Sequence, residues 1–534
     1  MPAPENARVT PGQTAASSTE AADGVEAQGG SQSGGHTYGQ ILKSSVLVGG
    51  SSVIGIAVRI LRTKAMAYLL GPSGFGLFGL YGAVESLAES IAGVGVSSSG
   101  VRQIAEAVGT GDNRRVAQTA AVLVRTSIAL GVLGALGLAV LARPIAKLTF
   151  GTTEHTAAIC LLSLAVLFQV TSTGQAALVQ GMRRISDLAK MSVIGTIAAT
   201  LVSVPIVYFY RQAGVVPSLI VVNIMTLLAS WWYSRKLGIR ASSISTSQVI
   251  EEASALLKLG SVFMLGWLFL AAVAYLVRIL ILRRAGLDAA GLYQSAWTMG
   301  GLYVGIVIQA MAADFYPRLT ASAKDNPLCN RLVNEQARVG LLVAGPGVLI
   351  TLTFTPLVMM LFYSAKFMAA TAVMRWICVG TLLQVVTWPM GFVLVAKNRR
   401  ALYFWCELGC ACFYAAASWY AIGAWGLNGA GIAFFAYCVF HGLLHYPIVG
   451  RLSGFQWSRE NVYEGLVCAT LIAVVCLSFK LLPQLAATAV GTVAVVASCI
   501  YSLRTLVKLL PWNRIPRTLR RVILVLGFAP AGAD

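Results

Sequence analysis

"GPSGFGLFGL", Gly71–Leu80, and "GLDAAGLYQS", Gly286–Ser295, stand 215 positions apart and align without a gap. The same shift brings Lys43 onto Lys258, Gly76 onto Gly291, Leu77 onto Leu292, Gln169 onto Gln384 and Arg184 onto Arg399. Self-similarity at a fixed long period marks a duplicated structural unit. These matches fall at helix ends and loops, where an apolar composition by itself forces little agreement. "ARPIAKLTFG", Ala142–Gly151, and "TFTPLVMMLFY", Thr353–Tyr363, add a shared segment opened by proline, with a small shift in register.

What is duplicated follows from composition. With 57% hydrophobic residues, 11% charged ones and a mean hydropathy of +0.74, the chain is too apolar for a water-soluble domain. A membrane helix needs about 20 apolar residues, and fourteen such stretches follow one another, from Ile41–Leu70 and Phe75–Val101 to Leu485–Val507. The expected fold is therefore all-α: a polytopic membrane protein of two six-helix lobes and two C-terminal helices. Six spans per copy is an even number, so both copies enter the membrane in one orientation, as a parallel repeat.

The segmentation that results is a disordered cytoplasmic tail over 1–38, an N-lobe over 39–240 and a C-lobe over 241–455. Helices 13 and 14 occupy 456–510, and a basic interfacial segment occupies 511–534. The tail lacks the basic and apolar regions of a cleavable signal peptide. Placing both termini in the cytoplasm puts Arg114, Arg115, Arg183, Arg184, Arg399 and Arg400 in inner loops, as the positive-inside rule asks. The net charge of +20 then serves topology and anionic head groups rather than nucleic acid. Of the ten cysteines, only Cys329 falls in a loop. "CELGCAC", Cys406–Cys412, has no histidine near it in sequence and reads as packing. No metal or cofactor is expected.

"LLGPSGFGLFGLY", Leu69–Tyr81, followed by "SSSGVRQIAEA", Ser97–Ala107, resembles the first two helices of the Wzx-type O-antigen and polysaccharide flippases. These belong to the multidrug/oligosaccharidyl-lipid/polysaccharide (MOP) exporter superfamily. The resemblance runs through the twelve-helix core and is weak after Arg451. It implies two lobes around a cavity that opens alternately to cytoplasm and periplasm. It also implies a cargo, an undecaprenyl-pyrophosphate-linked oligosaccharide carrying O-antigen or another surface polysaccharide unit, flipped across the bacterial inner membrane. Membrane lipids, and a polysaccharide polymerase with its export machinery, are the implied partners. The rival readings are a lipid II-type flippase, a drug exporter of the same superfamily, and a membrane polysaccharide polymerase or glycosyltransferase. An enzyme of that last kind would carry a large outer loop with acid–base residues, whereas the outer loops here are short. His36, His155, His441 and His445 form no catalytic set by position in the chain.

Charges inside the spans carry the site expectations, because a mid-bilayer charge costs about 2.5–3.5 kcal/mol on insertion scales and so faces a cavity or a partner. Arg59, Arg62 and Lys64 precede the Gly71 turn by depths of about 18, 13 and 10 Å. Arg278 lies about 12 Å below Gly286. Together they would make one cationic patch for a pyrophosphate, which arginine binds bidentately. The plainer reading for Arg62 and Lys64 is snorkelling to head groups. Glu85 and Glu89 share one helical face and would pair with Arg59 or carry protons. Asp314 and Glu407 read as lone acids, Asp314 beside "FYPR" as a second coupling or gate residue. Arg102 and Arg318 close helices 2 and 8 at the cytoplasmic entrance, and a topological role explains them equally well. "GVGVSSSG", Gly93–Gly100, reads as a packing and hinge element.

Overall fold

A computed structural model describes residues 30–239 and 246–509; the side chains of 30–53, 246–249, 302–314 and scattered positions between 255 and 317 fall outside the described set. Among the described residues every regular element is helical. The first half comprises α1 (Gly30–Gly93), α2 (Val96–Gly109), α3 (Asn113–Val140), α4 (Ala142–Phe150), α5 (Thr156–Gly181), α6 (Ile185–Tyr210) and α7 (Val215–Arg235). The second comprises α8 (Thr246–Ala321), α9 (Asn326–Thr353), α10 (Thr355–Phe362), α11 (Thr371–Ala396), α12 (Arg400–Trp425) and α13 (Leu427–Ser453), followed by α14 (Arg459–Leu481) and α15 (Gln484–Leu509).

The repeat is written into the backbone. α1 and α8 are each bent at one glycine, Gly71 (φ 66°, ψ −176°) and Gly286 (φ 86°, ψ 177°), a conformation open to residues without a Cβ. In the first copy Pro72 then opens the second arm, where its missing N–H is not needed. Left-handed Arg183 (φ 56°) and Asn398 (φ 58°) sit 215 apart, and so do Arg211 (φ 50°) and Gly426 (φ 57°). At the first of these pairs the chain leaves its helix by one device. Arg184 N–H donates to Val179 O at 3.2 Å and Arg399 N–H to Leu394 O at 2.8 Å, closing the orphan carbonyls in Schellman fashion. Asp112 and Asp325 cap α3 and α9 from equivalent turns. Each bent helix counts as two crossings, so with α3, α5, α6, α7, α9 and α11 to α15 the described residues hold fourteen membrane-length segments. Nine stretches qualify on length and apolar composition alone.

Two boundaries differ from the sequence reading. Helix α1 already begins at Gly30, inside the tail expected to be disordered to residue 38; once a helix is nucleated, each further residue adds one hydrogen bond. Residues 1–29 and the interfacial segment 511–534 lie outside the described residues. The second span ends at Gly93 rather than running to Val101, because Val94 (φ 44°) and Gly95 (φ 64°) break it and Val96–Gly109 forms the separate helix α2. The break lies in "GVGVSSSG", and Gly95 is needed there on a second count: a Cβ would collide with the backbone of Gly260 on α8.

The lobes meet through α1 and α8, whose contact is the most extensive between any two helices. At the elbows the contact is reciprocal. A Cβ on Gly76 would strike the Leu287 carbonyl and lie 3.0 Å from Gly291 N. A Cβ on Gly291 would strike the Pro72 carbonyl and lie 3.0 Å from Gly76 N. Pro72 aligns with Leu287 and Gly76 with Gly291, so the pseudo-twofold axis passes between the two glycines, as in an isologous interface. Arginines at this end reach backbone carbonyls of neighbouring helices: Arg211 donates to Leu69 O at 3.2 Å, Arg283 to Lys147 O at 3.2 Å, and Arg284 to Trp419 O. α14 and α15 pack on α9, where Arg338 Nε and Nη2 donate to Glu464 Oε1 at 2.9 and 2.7 Å.

Candidate functional site

The Gly71 bend folds the second arm of α1 back beside the first. Glu85 and Glu89 on the second arm thereby come to the side of the N-lobe that carries Arg62. Glu85 accepts a hydrogen bond from Asn223 Nδ2 of α7 at 2.6 Å, and Glu89 accepts one from Gln169 Nε2 of α5 at 3.3 Å. Deeper in the lobe, Ser230 Oγ donates to Gln175 Oε1 at 2.7 Å. A line of amides and hydroxyls thus runs through an apolar bundle.

Arg62 is half-buried and within electrostatic reach of both Arg59 and Glu85. Arg59 is exposed and its Nε donates to Gly55 O at 3.3 Å. The expected ion pair between Arg59 and the glutamates is not formed among the described residues: amides from α5 and α7 hold the carboxylates instead. Lys64 lies two residues from Arg62, about 160° around the helix. It shares its side with Leu61 and Tyr68, which are 63% and 74% exposed, as lipid-facing side chains are. Its position fits snorkelling.

Arg278 leaves the expected patch altogether. It is buried among residues of its own bent helix, with Nε donating to Gln294 Oε1 at 3.0 Å and Nη1 to Ala274 O at 2.9 Å. Its guanidinium lies 5.6 and 5.9 Å from the ring centres of Tyr293 and Trp297. The physical reason is azimuth. Val277, not Arg278, aligns with Arg62, and one residue is about 100° of helix. Gln294 in turn abuts Gly79 across the lobe interface, where a Cβ would sit 2.7 Å from the Gln294 side chain.

At the far end, Arg102 on α2 is exposed and pairs with Glu106 at 2.8 Å one turn on, and Arg318 is exposed near the end of α8. The side chain of Asp314 lies outside the described residues. A cavity of about 260 Å³ lies between the N-lobe and α8, lined by Glu89, Ser97, Ser98, Ser127, Thr173 and Met264. A second, apolar cavity of about 470 Å³ lies between the second arm of α1, α3 and α4 and is bordered by Tyr275.

Sequence reasoning missed Asn223 and Gln169 as partners because neutral amides leave no pattern, although Gln169 stood among the repeat matches. It also took Glu407 for a lone acid. α12 packs against α13, and Glu407 Oε1 lies 3.9 Å from His441 Nε2 and 3.8 Å from His445 Nε2. The i, i+4 spacing of the two histidines was the available signal.

Two bent-helix lobes related by a parallel repeat, with polar groups at their interface, define a membrane protein of the MOP architecture. Solved structures share it. The lipid II flippase MurJ, in an inward closed conformation, superposes with a TM-score of 0.66 at 12% identity, over 86% of this chain and 99% of that one. An inward-facing multidrug resistance MATE family transporter of the MOP superfamily gives 0.62 at 14% identity, over 74% and 95%. The chain belongs to the polysaccharide biosynthesis protein family, whose sequence pattern matches residues 65–372. The Lipid III flippase of Escherichia coli (strain K12) is 22% identical over 419 residues, 76% of this chain and 97% of that protein.

Proposed function

We propose that the protein flips an undecaprenyl-pyrophosphate-linked oligosaccharide, the repeat unit of an O-antigen or related surface polysaccharide, from the cytoplasmic to the periplasmic leaflet of the bacterial inner membrane. Both termini are cytoplasmic in this reading, and 39–240 and 241–455 are the lobes that rock. The observation that carries it is the embedded charge of the N-lobe. Arg62 stands near Arg59 and within electrostatic reach of the amide-held Glu85, and Glu89 borders the cavity between N-lobe and α8, in a chain of the polysaccharide biosynthesis family. A guanidinium at a low-dielectric wall binds phosphate oxygens strongly. Arg102 and Arg318 meet the diphosphate first, and Arg59 and Arg62 hold it during the switch. Arg278 supports the C-lobe wall rather than touching cargo.

The lipid III relative supports a lipid-linked oligosaccharide over the lipid II-type and drug readings. Family and relative together favour carriage over a polymerase or glycosyltransferase. The test is complementation of a strain lacking the gene. Charge reversal, Arg62→Glu, is expected to abolish surface glycan with the membrane level of the protein unchanged. Arg278→Glu is expected to lower the protein level itself. Normal glycan with Arg59→Glu and Arg62→Glu combined would overturn the cationic site.

A further inference from the structure

Glu407 on α12 and His441 and His445 on α13 bring three ligand atoms within 4.8 Å of one another, inside the C-lobe and apart from the N-lobe charges. Both imidazoles are more than nine-tenths buried, at 7% and 0% side-chain exposure. His445 Nδ1 lies 2.9 Å from the carbonyl oxygen of His441, which can only accept, so Nδ1 carries the proton and Nε2 presents a lone pair. That Nε2 has no hydrogen-bond partner and faces the carboxylate. At 3.8–3.9 Å the nitrogen–oxygen separations are too long for hydrogen bonds. They are close to the edge of a coordination shell with bonds of about 2.0–2.2 Å, whose ligand atoms stand about 3.4 Å apart in a tetrahedron. The two rings stack with centres 4.0 Å apart and planes 25° apart, so the nitrogens converge on one ion by rotation of the imidazoles about their Cβ–Cγ bonds as well as by shortening of these separations.

Three further features fit the same occupant. Histidines at i, i+4 on one helical face form a chelating pair. A metal-binding histidine commonly donates its other ring N–H to a backbone carbonyl, as His445 does. Beside His445, Gly391 on α11 places no side chain against the ring: even a Cβ there would stand 3.8 Å from Nε2, without crowding it. We infer that Glu407, His441 and His445 form an intramembrane site for one divalent transition-metal ion of the zinc class, clamping α12 to α13.

The site is tested on the whole protein, purified in detergent through a histidine-free affinity tag and treated with chelator. Titration with Co²⁺ is expected to give one ion per chain and the visible absorption of a low-coordinate site, displaced by Zn²⁺ and not by Mg²⁺. His445→Gln and Glu407→Gln are expected to abolish the band, and His155→Gln, on the distant outer loop, to leave it intact. Should the C-lobe variants misfold, a Zn²⁺-dependent rise in the melting temperature of the wild-type protein gives the readout without them. Absence of stoichiometric Co²⁺ and Zn²⁺ binding by the wild type, or equal binding by the Glu407→Gln/His445→Gln double variant, would overturn the assignment. Leaflet flipping is measured separately, so failure of the metal site leaves the transport reading standing.

Discussion

Glu85 is where single side chains weigh most. A carboxylate inside an apolar bundle, held mainly by one amide at 2.6 Å, depends on Asn223 for its solvation. Asn223→Leu strands it, whereas Glu85→Gln keeps a neutral partner for the amide. The leucine variant is expected to lose stability by about 1–3 kcal/mol, read as a lower melting temperature in detergent, and the glutamine variant to lose less. Equal loss in both would mean that the hydrogen bond contributes nothing. The same asymmetry applies to Glu464, 3% exposed, and Arg338, 25% exposed. Arg338→Leu leaves a buried unpaired carboxylate, while Glu464→Gln leaves a cation that reaches solvent. Thermal unfolding should therefore fall further for Arg338→Leu, by about 3 kcal/mol or more.

Between elements, the elbows of α1 and α8 decide how the lobes meet. Gly76 and Gly291 have no room for a methyl group that does not move the partner backbone. Gly76→Ala and Gly291→Ala are each expected to destabilise by about 1–3 kcal/mol through overpacking. More specifically, each should open this end of the interface. Cysteine cross-linking across the elbows checks that, and unchanged cross-linking would count against a seal here. Much of this level is legible in the sequence. Glycine, proline and capping aspartate sit at the turns, so the 215-residue period marks the helix ends, and α5 and α11, like α6 and α12, correspond end to end under that shift. The break at Val94–Gly95 is harder to read, because a left-handed valine has no sequence signature and its cause is the approach of Gly260 from the other lobe.

For the whole molecule, sequence pattern determines which helices exist and how deep their charges lie, but not which way each charge turns across neighbouring helices. Arg59 and Arg62 were findable because they interrupt an apolar run. The removal of Arg278 from their patch required the one-residue offset to be followed around the helix. The histidine–glutamate cluster joins residues more than thirty positions apart, and depth alone does not pair them. In the proposed reading, the parallel lobes, the N-lobe charges and the interface cavity form a carrier in which a diphosphate head would cross while its lipid tail stays in the bilayer. The direct measurement reconstitutes the purified protein in liposomes with a fluorescent undecaprenyl-pyrophosphate-linked oligosaccharide and follows head-group accessibility from outside. Wild-type protein should equilibrate the lipid between leaflets, and the Arg59→Glu/Arg62→Glu variant should do so at least about tenfold more slowly, the equivalent of about 1.4 kcal/mol in the barrier. Equal rates for the two proteins, or no exchange above protein-free liposomes, would contradict it.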